Sequence, residues 1–194
     1  MTKADLPAVA AMLGRSFEDD PITLHLYRGG TDLAPRVGRV MGILAASHLK
    51  DGRTWVTADC SAVGVWGPPG HWKTPASLYL THGLPMLRSI GFRNLRHIST
   101  LAAIEKLHPS EPHHYLAILG TDPSAQGKGY GSQLVRVVTD QADAELMPCY
   151  LESSKLANVP FYERHGFRVT REIRVGGNGP TVYAMWRDPQ PPDA

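Results

Sequence analysis

The stretch HYLAILGTDPSAQGKGYGSQLV, which runs from His114 to Val135, decides the fold. HYLAILGT predicts a strand, DPSAQGKGYG a glycine-rich loop, and SQLVRVVTDQADAEL a helix with an apolar face. Glycines at 127, 129 and 131 let the backbone turn tightly and approach a ligand without interference from Cβ atoms. Because the loop amides and the positive end of the helix face the same point, the pattern favours a bound phosphate, with Lys128 as an added cation.

Two common nucleotide-binding loops do not fit this stretch. A Walker A loop requires GxxxxGK[ST], but Asp122 and Gly129 stand at the two ends of that pattern. The dinucleotide fingerprint GxGxxG fails because its last position is Ser132. The pattern that remains is QxxGxG, formed by Gln126, Gly129 and Gly131, and taken alone it is weak.

The rest of the chain predicts an α/β layer fold with a sheet that is partly parallel and partly antiparallel. Before the glycine loop come helices over residues 2–17 and 31–50, a hairpin of WVTAD and SAVGVWG, a helical stretch over 71–107 and the proline-rich connector HPSEPHH. After it come the strand CYLESS, the helix VPFYERHGF with Gly166 as its left-handed cap, and a hairpin around GGNGP. A chain of 194 residues is consistent with one domain over residues 1–194.

The composition narrows the class of partner. Twenty Lys and Arg against eighteen Asp and Glu give a net charge of +2, so bulk charge favours neither a nucleic acid nor a membrane surface as partner. The two cysteines, Cys60 and Cys149, are far apart and do not form a disulfide framework. Apolar runs stop short of the ~18 residues that a membrane span needs, and Asp5 stands where a signal peptide requires an apolar core. We expect a cytoplasmic protein.

A second segment makes the resemblance specific. The glycine loop, followed by YLESSKLANVPFYERHGF over residues 150–167 and a terminal hairpin, resembles the GNAT superfamily of N-acetyltransferases, in particular the puromycin N-acetyltransferase-like enzymes. The shared pieces are the QGKG loop, the NxPFYERxGF segment, the LES strand end and the strand VWGPP. The likeness is strong over residues 113–188 and fair over 55–70.

The resemblance implies the GNAT acyl-CoA N-acyltransferase fold, a mixed, mostly antiparallel twisted sheet that is flanked by helices and splayed at a central bulge. The usual first strand of that fold is missing, because TKADL opens the helical pattern at Thr2. We expect either a start upstream of Met1 or a sheet edge that another protomer or a loop covers.

Acetyl-CoA is the cosubstrate that the resemblance implies, with residues 113–188 as its binding core. Strand groups would pair with the pantetheine arm by β-augmentation, the loop would cradle the pyrophosphate, and an asparagine would contact the arm. The residues matched to these roles are Leu119, Gly120, Thr121, Gln126, Gly127, Lys128, Gly129, Tyr130, Gly131, Ser132 and Asn158. Tyr162 matches the acid that protonates the departing thiolate, although a packed tyrosine bonded to the backbone is the alternative.

Other roles stay open from sequence alone. The base candidates are Glu18, Asp19, Asp20, His113 and His114. The residues His108, Glu111, His113 and His114 match no ligand spacing, so we expect no metal. The helical segment 71–108 is expected on the substrate side, where five aromatic residues either line an amine pocket or fill the core: Phe17, Tyr27, Trp66, Trp72 and Tyr79.

The resemblance implies direct transfer of an acetyl group, through a ternary complex, to the primary amine of a small molecule. An aminonucleoside-like antibiotic is one such acceptor, which would imply a role in antibiotic resistance. The alternatives are acetylation of a protein N-terminus or lysine, and an acyl-CoA-sensing module without turnover. Because members of the superfamily often dimerise, a homodimer is expected.

Overall fold

In the computed structural model, residues 1–28, 31–97, 104–176 and 178–190 are described. Six strands form one sheet in the order β1-β2-β3-β4-β6-β5. Their bounds are β1 Thr54–Val56, β2 Ala62–Gly67, β3 His114–Thr121, β4 Cys149–Ser153, β5 Arg168–Arg174 and β6 Thr181–Arg187. The β3–β4 pair is parallel and the other pairs are antiparallel, which confirms the mixed, mostly antiparallel sheet predicted from sequence.

Helices cover both faces of the sheet. They are α1 Leu6–Ser16, α2 Pro21–Leu26, α3 Leu33–Ser47, α4 Ala76–Ile90, α5 Tyr130–Ala144 and α6 Val159–Glu163. Short 3-10 turns lie at Lys3–Asp5, Leu49–Asp51, Phe92–His97, Pro123–Ala125 and Leu156–Asn158. Across the described ranges, no helix combines the length and the apolar character that a membrane span requires.

Helix α2 was not predicted from sequence, where FEDDP was interpreted only as the end of α1. The carboxylate of Asp20 accepts hydrogen bonds from the amides of Ile22 and Thr23, at 2.9 and 3.0 Å. Pro21 then occupies the first helical position, where a missing N–H has no cost. The segment FEDDP therefore ends α1 and also begins α2, which Asp20 caps and Pro21 opens.

The two faces of the sheet carry separate cores. On one face, α5 and α6 pack on Trp66, Leu116, Leu151 and Met185, all buried. On the other face, α1 packs its buried Val9 and Leu13 against Val63, Val65 and Ile118. Because these clusters lie on opposite sides, the strands between them are covered on both faces.

A bulge in β3 separates the two halves of the sheet. Val65 pairs with Ile118 and Trp66 pairs with Leu116, so that Ala117 has no partner on β2. This extra residue reverses the face to which later side chains point, which places Leu116 on the α5 side and Ile118 on the α1 side. The parallel pairing with β4 stops at Leu116 and Leu151. The splay at a central bulge is thus confirmed.

Strand β1 forms one edge of the sheet. Within the described residues, the first elements are the turn Lys3–Asp5 and α1, and β1 pairs with β2 alone. The amino group of Met1 donates a hydrogen bond to the carbonyl of Thr54 in β1, at 3.0 Å. The chain therefore meets this strand edge through a single hydrogen bond.

Two glycines let α1 and α3 pack in close contact. A Cβ atom on Gly14 would lie 2.2 Å from the carbonyl oxygen of Ala34, and one on Gly38 would lie 2.3 Å from that of Ala10. Both obstacles are backbone atoms, which cannot rotate away. The spacing of the two helices, and with it the position of the C-terminal end of α1, depends on these residues.

We predict that Gly38→Ala destabilises the protein by about 1–3 kcal/mol, because the added methyl group forces α1 and α3 apart. Gly83→Ala is the matched control, since a Cβ atom there meets nothing within 4 Å. Alanine in a helix is favoured over glycine, so this variant is expected to gain roughly 0.5–1 kcal/mol. Urea unfolding measures both, and equal stability of the two variants would contradict the packing argument.

Candidate active site

The end of β3 presents one open main-chain amide to the gap between β3 and β4. The Asp122 amide donates to the carbonyl of Ser61 beside β2, at 2.8 Å. Since main-chain groups alternate in direction along a strand, Gly120 also points to β2, whereas Leu119 and Thr121 point into the gap. The Thr121 amide already donates to the hydroxyl of Ser16, at 3.1 Å. Of the three residues matched to the pantetheine arm, only Leu119 therefore offers a free amide.

The glycine loop has the geometry of an anion cradle. Gly127 and Gly129 have φ values of 77° and 83°, and an added Cβ atom on either would point into open space. The amides of residues 126–132 donate to no acceptor in the described part of the chain. Helix α5 begins here, so its positive end faces the same space. This arrangement fits a diphosphate.

Asp122 fastens the glycine loop to α1. Its carboxylate accepts hydrogen bonds from the hydroxyl and the amide of Ser124, and from the Nε of Arg15 at 2.8 Å. The Ser124 hydroxyl and the Arg15 guanidinium hold the pKa of Asp122 below its usual value. Together with the contact between Ser16 and Thr121, this bond ties the end of α1 to the end of β3.

A second group of polar residues lies at the end of β4. The buried Asp20 binds two α2 amides through Oδ1, and its Oδ2 accepts a hydrogen bond from the hydroxyl of Ser154. Tyr162 of α6 is also buried, and burial raises its pKa well above the ordinary value, with the nearby charge of Asp20 as a second cause. Asp20, Ser154 and Tyr162 therefore form one group at this edge.

An open pocket of about 510 Å³ adjoins this group. Ser154, Lys155 and Asp19 line it together with Tyr183 of β6. Lys155 and Asp19 form an ion pair, which joins the α1–α2 turn to the loop after β4. The pocket therefore opens between two segments that are held together by side chains.

The other sequence candidates lie in different surroundings. Asn158 and Lys128 are exposed. His114 is fully buried at the opposite end of β3, 2.9 Å from Glu145 and 3.2 Å from Arg53, so it does not reach the pocket. Glu18 is exposed, and no described residue binds its carboxylate.

The aromatic residues considered for an amine pocket are divided between core and surface. Trp66 is buried in the core under α5, and Tyr27 is buried in a separate cluster with Val37 and Val40 of α3, so neither lines the pocket described above. Phe17 packs partly buried beside α1, and Tyr79 is 55% exposed on α4. Trp72 is half-buried and stacks on His108.

Comparison with known proteins identifies the domain. The family described as acetyltransferase (GNAT) domain matches residues 90–169, which include the bulged strand, the glycine loop and Tyr162. Over this range the chain is similar to the GNAT acetyltransferases. Acetyltransferases of this family use acetyl-CoA as the acetyl donor, so acetyl-CoA is the cosubstrate of this enzyme.

Similar proteins agree with this family. An uncharacterized N-acetyltransferase from Schizosaccharomyces pombe is 28% identical, over 96% of this chain and 81% of its own length. Two solved structures share the fold: a histone acetyltransferase HPA2-related protein from Corynebacterium glutamicum, at 21% identity, TM-score 0.64 and coverage of 100% and 96%, and arylalkylamine N-acetyltransferase 2 from Aedes aegypti, at 16% identity, TM-score 0.65 and coverage of 98% and 97%.

Several residues around the candidate site were not predicted from the sequence. Ser16, Arg15 and Ser154 each bind a partner more than a hundred positions away in the chain. Their residue types carry no spacing signal, because serine and arginine are common on surfaces. Only the place of Ser154 directly after a strand end pointed toward the site.

We predict that Gly129→Ala weakens acetyl-CoA binding about tenfold, which corresponds to about 1.4 kcal/mol. The new Cβ atom projects into the cradle, and a left-handed alanine costs roughly 1–2 kcal/mol of stability. Gly52→Ala is the matched control, since Gly52 has a φ of 67° and open space but lies in a distant turn. It should lose the same stability and keep its affinity. Calorimetric titration with acetyl-CoA measures both, and equal affinities would contradict the cradle.

Proposed function

We propose that this N-acetyltransferase transfers the acetyl group of acetyl-CoA directly to the primary amine of a small molecule. The observation that carries the proposal is the convergence of Tyr162, Asp20 and Ser154 at the end of β4, beside the gap into which the Leu119 amide points. A pocket of about 510 Å³ next to them has the size of a small-molecule site.

On the donor side, the chain supplies main-chain groups. The amides of residues 126–132, with Lys128, would hold the diphosphate, and the Leu119 amide would face the acetyl carbonyl oxygen as negative charge develops there. When bound, acetyl-CoA supplies an activated acetyl group, whose transfer breaks the bond to sulfur and leaves a thiolate. Asn158, exposed at the start of α6, would contact the pantetheine arm.

Tyr162 is the proposed acid. Its raised pKa keeps the phenol protonated at neutral pH, and its hydroxyl makes no hydrogen bond to any described residue. A hydroxyl without a competing partner can donate to the departing thiolate. This favours the acid role over that of a packed tyrosine bonded to the backbone.

Asp20 is the proposed proton acceptor, through Ser154. An alkylammonium must lose a proton before its nitrogen attacks. The Ser154 oxygen lines the pocket and can accept that proton while its own hydroxyl proton passes to Oδ2 of Asp20. The two amides on Oδ1 hold the carboxylate in place during this exchange. Of the five candidates from sequence, Asp20 alone combines burial with a partner in the pocket.

Direct transfer is preferred to an acyl-enzyme. Cys149 is fully buried, and burial raises the pKa of its thiol to about 12. A neutral, enclosed thiol is a poor nucleophile. The acetyl group therefore has no carrier at this cysteine.

The acceptor is proposed to be a small amine with an aromatic or apolar part. Tyr115 of β3 packs in one cluster with Ile22 of α2, next to the Asp20 cap, and Trp72 of the helical segment reaches Tyr115 through His108. The neighbour from Aedes aegypti is by name an arylalkylamine N-acetyltransferase. The resemblance of the sequence to puromycin N-acetyltransferase-like enzymes supports an aminonucleoside as one acceptor of this kind.

A thiol-release assay with acetyl-CoA tests the function. The panel is puromycin, phenethylamine, agmatine, and peptides with a free N-terminus or a lysine. Turnover of the small amines with no turnover of the peptides is expected. Turnover of the peptides alone would replace the proposal by protein acetylation, and acetyl-CoA binding without any turnover would favour the sensing module.

We predict that Tyr162→Phe lowers kcat by about 10²-fold or more, because the thiolate leaves without a proton, while affinity for acetyl-CoA is retained. Cys149→Ala is the control and is expected to keep wild-type activity. Steady-state kinetics measures both. A hundredfold loss in the cysteine variant would contradict direct transfer, and an active phenylalanine variant would contradict the acid role.

We predict that Asp20→Asn lowers kcat/KM at neutral pH by about 10²-fold. Asparagine caps a helix as well as aspartate does, so α2 is expected to form and the change isolates the lost base. The deficit should shrink as pH rises toward the pKa of the amine, because a larger share of the acceptor is then already deprotonated. A deficit that is constant from pH 7 to pH 10 would contradict this role.

A further inference from the structure

A network of buried polar side chains lies on the face of the sheet that carries the proposed acceptor site. It does not include Asp20, Ser154 or Tyr162. Nδ1 of His108 is 3.2 Å from Oε1 of Glu152, and Nε2 of His108 is 3.0 Å from Nε2 of His113. Nδ1 of His113 is 2.6 Å from the carbonyl oxygen of Glu111. The side chains of His108 and Glu152 are only 2% and 8% exposed.

The hydrogen bonds determine how many protons this network holds. A carbonyl oxygen only accepts, so Nδ1 of His113 carries a proton. Burial lowers the pKa of His113, which leaves its Nε2 unprotonated and able only to accept. Nε2 of His108 must then be the donor. The remaining contact, between Nδ1 of His108 and Oε1 of Glu152, requires one further proton, held either by an imidazolium or by a carboxylic acid.

The surroundings favour a pair that is neutral as a whole. Tyr115 and Tyr150 stand edge-on to His108, and the phenol groups of both lie close to the Glu152 carboxylate. Burial and the Glu152 charge raise the pKa of both phenols. An unpaired carboxylate in this setting would be costly, whereas one that shares a proton with His108 is not.

The pair also joins the two ends of the acceptor-side helical segment. Trp72 stands before α4, and His108 follows the segment after residue 107. Their rings stack at 3.7 Å between centroids, with 16° between the planes. Since Glu152 lies on β4, directly after the last residue that pairs with β3, the stack is attached to the sheet at the edge of the gap.

We propose that His108 and Glu152 share one proton, and that this pair is a positioning device that holds the stacked Trp72 and His108 rings against β4, two residues before Ser154 of the proposed acceptor site. Its effect on acceptor binding rests on the proposed function. The shared proton and the attachment of Trp72 do not. Glu152 is thus a positioning residue for the acceptor, and acetyl-CoA binding does not depend on it.

Other charged or titratable groups face this pair. From the connector come His113 and Glu111, from β3 and β4 the two tyrosines, and Arg171 of β5 acts on Tyr150. Lys73 lies 5.1 Å from the Trp72 ring. Burial raises the pKa of both tyrosines and lowers that of His113, so all three stay neutral from pH 7 to pH 9.

The test compares Glu152→Ala with Glu152→Gln. Glutamine donates an N–H to Nδ1 of neutral His108, so it keeps the attachment without the extra proton. At pH 7 we expect the alanine variant to raise the KM for the amine about tenfold, or about 1.4 kcal/mol, with an unchanged KM for acetyl-CoA. The glutamine variant should match wild type at pH 7.

Glu145→Gln is the matched control, because Glu145 forms the other histidine–glutamate pair, with His114 at the end of α5. It is expected to leave the KM for the amine unchanged. Trp72→Ala is a second variant in case Glu152→Ala does not fold, and it should show the same rise. Equal changes in both KM values, or a glutamine variant as impaired as the alanine variant, would overturn the positioning role.

Two spectroscopic readings decide the proposal without turnover. In ¹⁵N spectra at pH 7, a neutral His108 facing an ionised Glu152 would overturn the shared proton. In ¹⁹F spectra with 5-fluorotryptophan, the Trp72 signal should move in Glu152→Ala and stay in place in Glu152→Gln, and an unmoved signal in the alanine variant would overturn the attachment. If wild type acetylates no amine of the panel, the proposed function fails, while these readings still decide the proposal.

Discussion

The early end of the pairing between β3 and β4 is the constraint on which the site depends. The two strands run parallel only from His114 to Leu116, and the bulge at Ala117 turns the rest of β3 toward β2. Beyond Leu116, the main-chain groups of β3 that face β4 have no strand partner, which a buried sheet normally does not allow. The glycine loop, Tyr162 and Asp20 all lie around this gap.

Helix α1 holds the gap open. Its last residues bind the end of β3 through the Ser16 hydroxyl and the Arg15 guanidinium, while α3 supports α1 from behind through the contact of Gly14 with Gly38. The proposed donor site therefore combines residues near the start of the chain, in α1, with residues of β3 and the glycine loop. A change in the packing of α1 against α3 would alter the position of the glycine loop, because Arg15 of α1 binds Asp122.

Local pattern predicted much of the fold and the donor side. The glycine loop, the helix with Tyr162 and both hairpins follow from turn residues and spacing that lie within a few positions of each other, whereas the bulge in β3 was expected only from the family resemblance. Helix α2 was missed because its cap, Asp20, was interpreted as part of a helix end. The connector HPSEPHH is free of helix and strand up to His113, and β3 begins at its last residue, His114; the burial of His108 and His113 was not foreseen. Their partner Glu152 lies more than thirty positions away, and no spacing rule links them.

The hydrogen bond between Ser16 and Thr121 limits how an extended ligand can dock along β3. With the Thr121 amide occupied and the Gly120 amide turned to β2, the edge offers a single donor at Leu119. A ligand amide that adds to this edge cannot slide by two residues, as it could along an ordinary strand. The depth at which a reactive group arrives is thus set by one serine hydroxyl on a neighbouring helix.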